Sequence, residues 1–117
     1  MTDLEELEIS VKALSEKKAE KISALKVVDI TSLANYFVIA SASSTTQAKA
    51  LADFVEFKLG EKGVKPKNIE GISATGWIVL DYIDVVIHIF TEEQRDFYRL
   101  DNLWADGEPV DISAWEK

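Results

Sequence analysis

The 117-residue sequence predicts a single α/β (α+β) domain, in which a mixed β-sheet of about five strands is flanked by helices. Three observations predict this class. The chain is long enough for one hydrophobic core and too short for two ordinary domains. Helical and strand patterns alternate in the order α-β-β-α-β-β-β-α, with no repeat or Pro/Gly-rich linker between them. Its 47% of apolar and 29% of charged residues are typical of a folded protein and exclude wholesale disorder.

The first half of the chain predicts two helices separated by two strands. Thr2 and Glu5 form a capping box, and apolar residues at helical spacing then extend a helix from about residue 3 to residue 18. Runs rich in β-branched and aromatic residues predict strands over 24–30 and 36–42. A second capping box, Ser44 with Gln47, opens a helix that ends at Gly60 or Gly63.

The second half predicts three strands and a helix. A short strand over 64–70 contains Pro66, which has no N–H to donate and therefore suits a sheet edge. Residues 75–81 and 84–90 predict a tight hairpin closing over Tyr82 and Ile83. A third capping box at Thr91 opens the last helix, which continues into a turn at Leu103 and Trp104. We therefore expect a folded domain over 1–104 and an acidic tail over 105–117 that packs back through its apolar residues.

The predicted hairpin separates its side chains into two different faces. Its turn pairs Asp81 with Asp84 and Trp77 with His88, and successive side chains point to opposite faces. One face is entirely aliphatic and belongs to the core; it carries Ile78, Leu80, Val85, Ile87 and Ile89. The other face is mixed; it carries Trp77, Val79, Asp81, Asp84, Val86, His88 and Phe90.

A tryptophan beside carboxylates and a histidine is typical of an interface anchor. A second core layer beneath a helix would explain Trp77 equally well. Tyr82 lies at the predicted hairpin tip, where a large side chain is hard to bury, and it favours the interface.

The net charge of −8 arises entirely in the second half of the chain. Residues 68–117 hold eleven acidic and three basic residues, whereas residues 1–67 hold ten of each. An acidic surface repels phosphate, which disfavours direct nucleic-acid binding, and it attracts a basic protein patch. Surplus acids that only keep a small protein dissolved are the simpler explanation.

The chain offers little for catalysis or metal binding. It has no cysteine, and His88 is its only histidine, which excludes a disulfide scaffold, a zinc ribbon, a thiol nucleophile and a polyhistidine site. We expect no catalytic residue, no cofactor and no metal ligand. The alternative is a divalent-ion site formed by the paired carboxylates of Asp81 and Asp84, although aspartates are also common in exposed turns.

The sequence favours a cytoplasmic location. No uncharged apolar run approaches the roughly 18 residues that a membrane span requires. The first eight residues carry four acids and no base, unlike a targeting segment.

Several short motifs occur in one order along residues 4–104. They are the run Tyr36–Ser41 followed by Gln47 and Ala48, the pair Glu70 and Gly71, the runs Gly76–Tyr82 and Asp84–Phe90, and then Arg95, Phe97, Tyr98, Leu100, Leu103 and Trp104. In this combination the chain resembles the ribosomal silencing factor family, also called Iojap-like. Asn35, Ala42 and Ile83 depart from the residues common there, and a β-branched residue such as Ile83 opposes the positive φ of a tight turn.

The resemblance implies a nucleotidyltransferase-like fold without catalysis, and the spacing of Asp81 and Asp84 agrees, because such enzymes need two carboxylates one residue apart. The alternative is a small metal-dependent nucleotidyltransferase-like enzyme in which Asp81 and Asp84 hold magnesium near residues 43–46. The resemblance also implies a partner, ribosomal protein L fourteen of the large subunit. Occupying that protein blocks joining of the small subunit and represses translation when nutrients are scarce. No membrane contact is expected, and a homodimer of the unbound protein stays open.

The resemblance further implies a set of partner-binding residues: Glu70, Trp77, Leu80, Asp81, Tyr82, Asp84 and His88. Trp77 is expected to supply buried aromatic area, and Leu80 and Tyr82 to extend it, although the alternation places Leu80 on the core face. The three acids would face basic groups of the partner. His88 would either brace Trp77 or donate a hydrogen bond to a partner carbonyl.

Overall fold

A six-stranded sheet and two helices make up the described part of the computed structural model, which covers residues 2–29, 31–32, 34–71, 76–93 and 107–116. In chain order the elements are α1 (Asp3–Glu16), β1 (Glu20–Lys26), β2 (Tyr36–Ala42), α2 (Thr45–Gly60), β3 (Asn68–Glu70), β4 (Trp77–Asp81), β5 (Val85–Thr91) and β6 (Glu108–Pro109). No helix among these residues is long and apolar enough to cross a membrane.

The sheet is mixed, with the strand order β3-β4-β5-β2-β1-β6. Its central strands β2 and β5 run parallel, and the other neighbouring pairs are antiparallel. The parallel pair follows from the long connection through α2, because adjacent parallel strands need a crossover. The predicted α+β class with a mixed sheet is therefore confirmed, with six strands instead of about five.

Both helices pack on one face of the sheet and against each other. The main core lies between them and the sheet; its largest members include Leu7, Leu14, Leu51, Leu59, Leu80, Ile87 and Ile89, all with at most 1% of their surface exposed. Burying one such side chain contributes about 1.5–3 kcal/mol, so this layer is the main source of stability.

The helix starts follow the predicted caps. Thr2 Oγ1 accepts a hydrogen bond from Glu5 N at 3.2 Å, and Glu5 Oε1 accepts one from Thr2 N at 3.1 Å, which completes the capping box. Ser44 Oγ likewise accepts from Gln47 N at 3.1 Å. The Gln47 side chain reaches one residue further back than predicted, to the backbone N–H and hydroxyl of Ser43.

The first strand lies four residues earlier than the predicted range of 24–30. It pairs with β2 in a register that joins Lys26 to Tyr36. Val27 N then donates to Asn35 O at 2.8 Å, and Thr31 N donates to Val27 O at 3.0 Å. The chain therefore turns at Val27, although the end of the predicted strand is rich in residues of high strand propensity.

The β4–β5 hairpin has the predicted faces but not the predicted pairs. The structure pairs Trp77 with Phe90 and Asp81 with Val86, whereas the sequence predicted His88 and Asp84 as their partners. Tyr82 N donates to Val85 O at 2.9 Å, so the turn is centred on Ile83 and Asp84, one position later than predicted, and the register is shifted by two residues. An even shift leaves every side chain on its predicted face, because faces alternate with period two.

The segment predicted as an acidic tail continues the sheet. β6 pairs with β1, Val110 N donates to Ala24 O at 2.9 Å, and Ile112 is buried in the main core. Val110 and Trp115 pack against the same core. The predicted last helix and the turn at Leu103 and Trp104 fall mostly on residues 94–106, which lie outside the described residues.

Candidate interaction site

Four predicted site residues lie on the sheet face opposite α1 and α2. Glu70 pairs with Val79, which pairs with His88, and these three residues form one row across β3, β4 and β5. Trp77 and Asp81 are two residues to either side of Val79 on β4, and they therefore share this face. The register places Glu70, Trp77, Asp81 and His88 on one face; the alternation predicted this for Trp77, Asp81 and His88 and did not assign Glu70 to a face.

An aromatic cluster occupies the middle of this face. The rings of Trp77 and Phe90 stack with their centroids 5.0 Å apart and their planes at 24°. The Phe37 ring meets the His88 imidazole edge-on at 5.1 Å and 71°. Phe37 was not among the predicted site residues; it comes from β2, which is distant in sequence from Trp77, and the local pattern carried no signal for that contact.

His88 supports Trp77 directly. Trp77 Nε1 donates a hydrogen bond to His88 Nδ1 at 3.3 Å, and only 8% of the His88 surface is exposed. Burial lowers the pKa of His88 to about 4, so the imidazole is neutral at pH 7. Because Nδ1 accepts, the ring hydrogen is on Nε2, which is buried and has no hydrogen-bond partner among the described residues.

Leu80 and Tyr82 lie on the other side of the sheet, in the main core. Leu80 is fully buried, as the alternation predicted, and Tyr82 is only 5% exposed. The expectation that Tyr82 is hard to bury is therefore wrong. The turn of Ile83 and Asp84 is closed by a hydrogen bond from Tyr82 N to Val85 O at 2.9 Å, so Tyr82 lies at the base of the turn instead of its tip.

The Tyr82 hydroxyl is an unusual group in that core. It is buried and has no hydrogen-bond partner among the described residues. Burial, together with the nearby charges of Glu56 and Glu6, raises the pKa of Tyr82 to about 12. The hydroxyl is therefore neutral at pH 7 and is not available to a docked partner.

The three predicted acids have different surroundings. Glu70 is exposed on the edge strand β3. Asp81 is half-buried, and its Oδ1 accepts a hydrogen bond from Ile83 N at 2.8 Å, which stabilises the turn. Asp84 is exposed beside Asp3 at the start of α1, and this neighbouring charge raises the pKa of Asp84.

No metal centre is formed by the residues that the structure describes. Among them, no group of three or more histidine, cysteine, aspartate or glutamate side chains is placed to hold an ion. The predicted pairing of Asp81 with Asp84 across the hairpin is wrong, since Asp81 lies opposite Val86.

Gly71 belongs to the sequence motif formed with Glu70, and the structure gives it a specific role beside Trp77. Its φ is +83°, and a Cβ atom at this position would lie 2.0 Å from the backbone oxygen of Trp77. Glycine is therefore required where the chain leaves β3 and passes the start of β4.

Comparisons with known proteins agree on one family. The model of the family "Ribosomal silencing factor during starvation" matches residues 1–117. A ribosomal silencing factor of Halalkalibacterium halodurans is 34% identical over 114 residues, which cover 97% of each chain. A crystal structure of a Chromobacterium violaceum protein superposes with a TM-score of 0.87 at 33% identity and covers 97% of this chain and 93% of that one.

A more distant relative comes from mouse. It is named "Mitochondrial assembly of ribosomal large subunit protein 1" and is 29% identical over 105 residues, which cover 86% of this chain and 45% of the mouse protein. The match along the whole sequence and the match of the whole fold point to the same conclusion. This chain belongs to the ribosomal silencing factor family.

Proposed function

We propose that this protein binds the large ribosomal subunit through ribosomal protein L fourteen, prevents the small subunit from joining, and thereby represses translation when nutrients are scarce. Family membership and the printed name of the mouse relative support a role at the large subunit. The observation that carries the proposal is the Trp77 cluster, defined as Trp77, His88, Phe37 and Phe90, on the sheet face opposite α1 and α2.

The chemistry of this face fits a basic protein partner. Trp77 is half-buried, so part of a large aromatic ring is presented on a rigid strand. Glu70 is exposed in the neighbouring strand, and Asp81 is half-buried two residues beyond Val79. An aromatic anchor that shares its face with two carboxylates is suited to a surface that carries lysine and arginine.

The proposal also gives roles to the remaining predicted residues, Leu80, Tyr82 and Asp84. Leu80 and Tyr82 are buried, so they pack β4 and the turn against the main core and do not face the partner. Asp84 extends the acidic surface toward α1, and its backbone oxygen accepts hydrogen bonds from Asn35 N and Tyr36 N at 2.9 and 3.0 Å. The buried residues thus fix the shape of the hairpin that Trp77 occupies.

Trp77→Ala tests the contact. We expect it to weaken binding to purified large subunits at least about thirtyfold, because truncating a central interface tryptophan costs about 2 kcal/mol or more. Co-sedimentation over a concentration series measures the dissociation constant. Phe57→Ala is the matched control, since Phe57 is an exposed aromatic residue on α2, on the far side of the sheet.

Unchanged binding by Trp77→Ala, or an equal loss in the Phe57→Ala control, would contradict this assignment. The consequence for subunit joining is measured separately by sucrose-gradient sedimentation of separated subunits. Excess wild-type protein should keep them apart, and Trp77→Ala should not. Normal formation of seventy-svedberg particles in excess wild-type protein would refute the proposed mechanism.

The surroundings of Asp81 and Asp84 do not favour the enzymatic alternative. Asp81 accepts from the turn N–H of Ile83, and Asp84 lies beside Asp3 at the start of α1. No observation on the described residues favours magnesium or nucleotide binding by this pair.

A further inference from the structure

We infer that His88 is a positioning residue for Trp77: its Nδ1 holds the indole N–H inside the protein, so that Trp77 meets its partner with the carbon surface of its ring. This inference rests on the proposed function and adds to it the chemistry of the central contact. Of the two roles predicted for His88, it favours the support of Trp77 over donation of a hydrogen bond to a partner carbonyl.

The strand register explains how the two side chains meet. Trp77 lies directly opposite Phe90, and His88 lies directly opposite Val79. Trp77 and His88 are therefore diagonal neighbours, a separation that long aromatic side chains can bridge. Among the described residues, the indole is held by the stack on Phe90 at 5.0 Å and by the hydrogen bond to His88 Nδ1 at 3.3 Å.

His88 is itself held in place. The Phe37 ring packs edge-on against the imidazole at 5.1 Å, and the Phe90 ring lies parallel to it within 10° at 6.3 Å. A neutral imidazole has one donor and one acceptor nitrogen, and the indole N–H selects Nδ1 as the acceptor. Protonation of His88 would place a hydrogen on Nδ1, facing the indole N–H. Burial disfavours this protonated form and thereby lowers the pKa of His88 to about 4.

The second role considered for His88, donation to a partner carbonyl, does not fit the burial of its other nitrogen. Nε2 is buried, so a docked protein would reach it only after the cluster had opened. The support of Trp77 needs no such rearrangement, because the hydrogen bond is already present in the unbound protein.

The consequence concerns what the partner places over Trp77. An interface tryptophan usually offers a hydrogen-bond donor together with its apolar ring. In this protein the indole N–H of Trp77 already donates to His88 Nδ1, so the partner does not need to place a hydrogen-bond acceptor over Trp77. Aliphatic groups, or the cationic end of a lysine or arginine against the ring face, are the matching chemistry.

Two substitutions separate positioning from simple packing. His88→Leu removes the acceptor and keeps a similar volume, whereas His88→Asn places an amide oxygen close to the position of Nδ1. The first readout is the indole N–H signal of Trp77 in a ¹H–¹⁵N spectrum of tryptophan-labelled protein, assigned with Trp77→Phe. We expect this signal to move in His88→Leu and to stay close to its wild-type position in His88→Asn, while the Trp115 signal moves in neither.

The second readout is the affinity for large subunits. We expect His88→Leu to bind about tenfold more weakly and His88→Asn to bind within about threefold of wild type. His88→Gln is used where His88→Leu unfolds, because glutamine keeps a donor near Nε2 but withdraws the acceptor from Nδ1. It should then behave as the weak binder.

Each outcome decides one claim. Wild-type affinity in a folded variant whose Trp77 signal has moved overturns the positioning role and leaves the proposed function intact. Equal losses in His88→Asn and His88→Leu also overturn it, since an Nδ1 acceptor would then not suffice. Failure of the wild-type protein to bind large subunits overturns the proposed function and the binding part of this inference, whereas the indole signal still tests the hydrogen bond.

Discussion

The properties of individual side chains in this protein are determined by where the fold places them. His88 is an ordinary histidine in the sequence, but burial between aromatic rings makes it a neutral hydrogen-bond acceptor. Tyr82 is a turn residue that the fold draws into the core, where its hydroxyl has no partner among the described residues. Both residues give predictions at this scale.

His88 should make stability depend on pH in the mildly acidic range. Its folded pKa of about 4 lies below the ordinary value of 6.5, so between these values the unfolded chain binds a proton that the folded chain does not. The free energy of unfolding should therefore fall as pH is lowered from about 6.5 to about 4, by roughly 3 kcal/mol in total. Urea denaturation at a series of pH values measures the slope.

His88→Asn is the control for this titration. Glu6 and Asp84 have raised pKa values in the folded state and contribute with the opposite sign, because the folded chain then binds protons more tightly than the unfolded chain. The difference between wild type and His88→Asn isolates the histidine. Parallel curves for the two proteins would contradict the buried neutral imidazole.

Tyr82→Phe should stabilise the protein by about 1 kcal/mol at pH 7, because it removes a buried hydroxyl that lacks a partner among the described residues. With its pKa raised to about 12, Tyr82 also makes stability fall as pH rises from about 10 to about 12, and the variant should lose this dependence. Tyr36→Phe is the comparison, since the Tyr36 hydroxyl is not among the buried groups without a partner. A less stable Tyr82→Phe would show that the hydroxyl is hydrogen-bonded.

At the scale of single elements, the β4–β5 hairpin shows how a turn determines a register. The sequence predicted the strands and the face of every side chain, since these follow from alternation along one chain. The pairing depends on where the turn is placed: Val85 O accepts a hydrogen bond from Tyr82 N and Asp81 Oδ1 accepts one from Ile83 N, so the turn is centred on Ile83 and Asp84 instead of Tyr82 and Ile83. No local pattern distinguished this turn from one centred a residue earlier.

Ile83 is the strained residue of this turn. It is 58% exposed and has a φ of +74°, a region in which a β-branched side chain is disfavoured. Ile83→Gly should therefore raise the free energy of unfolding by about 1 kcal/mol despite the extra flexibility of glycine in the unfolded chain. Thermal or urea denaturation measures the change.

Val28→Gly is the matched control for the hairpin substitution. Val28 is also an exposed β-branched residue in a turn, but it does not have a positive φ. Glycine there should lower stability, because only the flexibility of the unfolded chain changes. A loss of stability in both variants would show that the Ile83 conformation carries no strain.

At the scale of the whole molecule, charge and fold act on the same face. The surplus of acids lies in residues 68–117, and β3, β4 and β5, which carry most of the candidate interaction site, belong to that half, whereas Phe37 comes from β2. The helices that cover the opposite face come from the half with balanced charge. The fold thus places Glu70 and Asp81, two acids of the second half, on the same face as Trp77.

Salt should slow association with the large subunit if a basic patch is the partner. Raising the salt concentration from about 0.05 to about 0.5 M should lower the association rate about tenfold and change the dissociation rate much less. Stopped-flow or surface-based kinetics measures both rates. Glu70→Gln should reduce the salt dependence more than Glu56→Gln, which removes the same charge on the helix side; equal effects would mean that only the total charge matters.

The sequence by itself determined the class of fold, the starts of the helices and the two faces of the hairpin. These features depend on residues a few positions apart, as with Thr2 and Glu5 or the alternation from Trp77 to Asp81. Only the tertiary structure decided the strand order, the burial of Tyr82 and the hydrogen bond between Trp77 and His88. These depend on which distant segments meet when the chain closes, and on the room that packing leaves for each side chain, neither of which is present in a local pattern of residues.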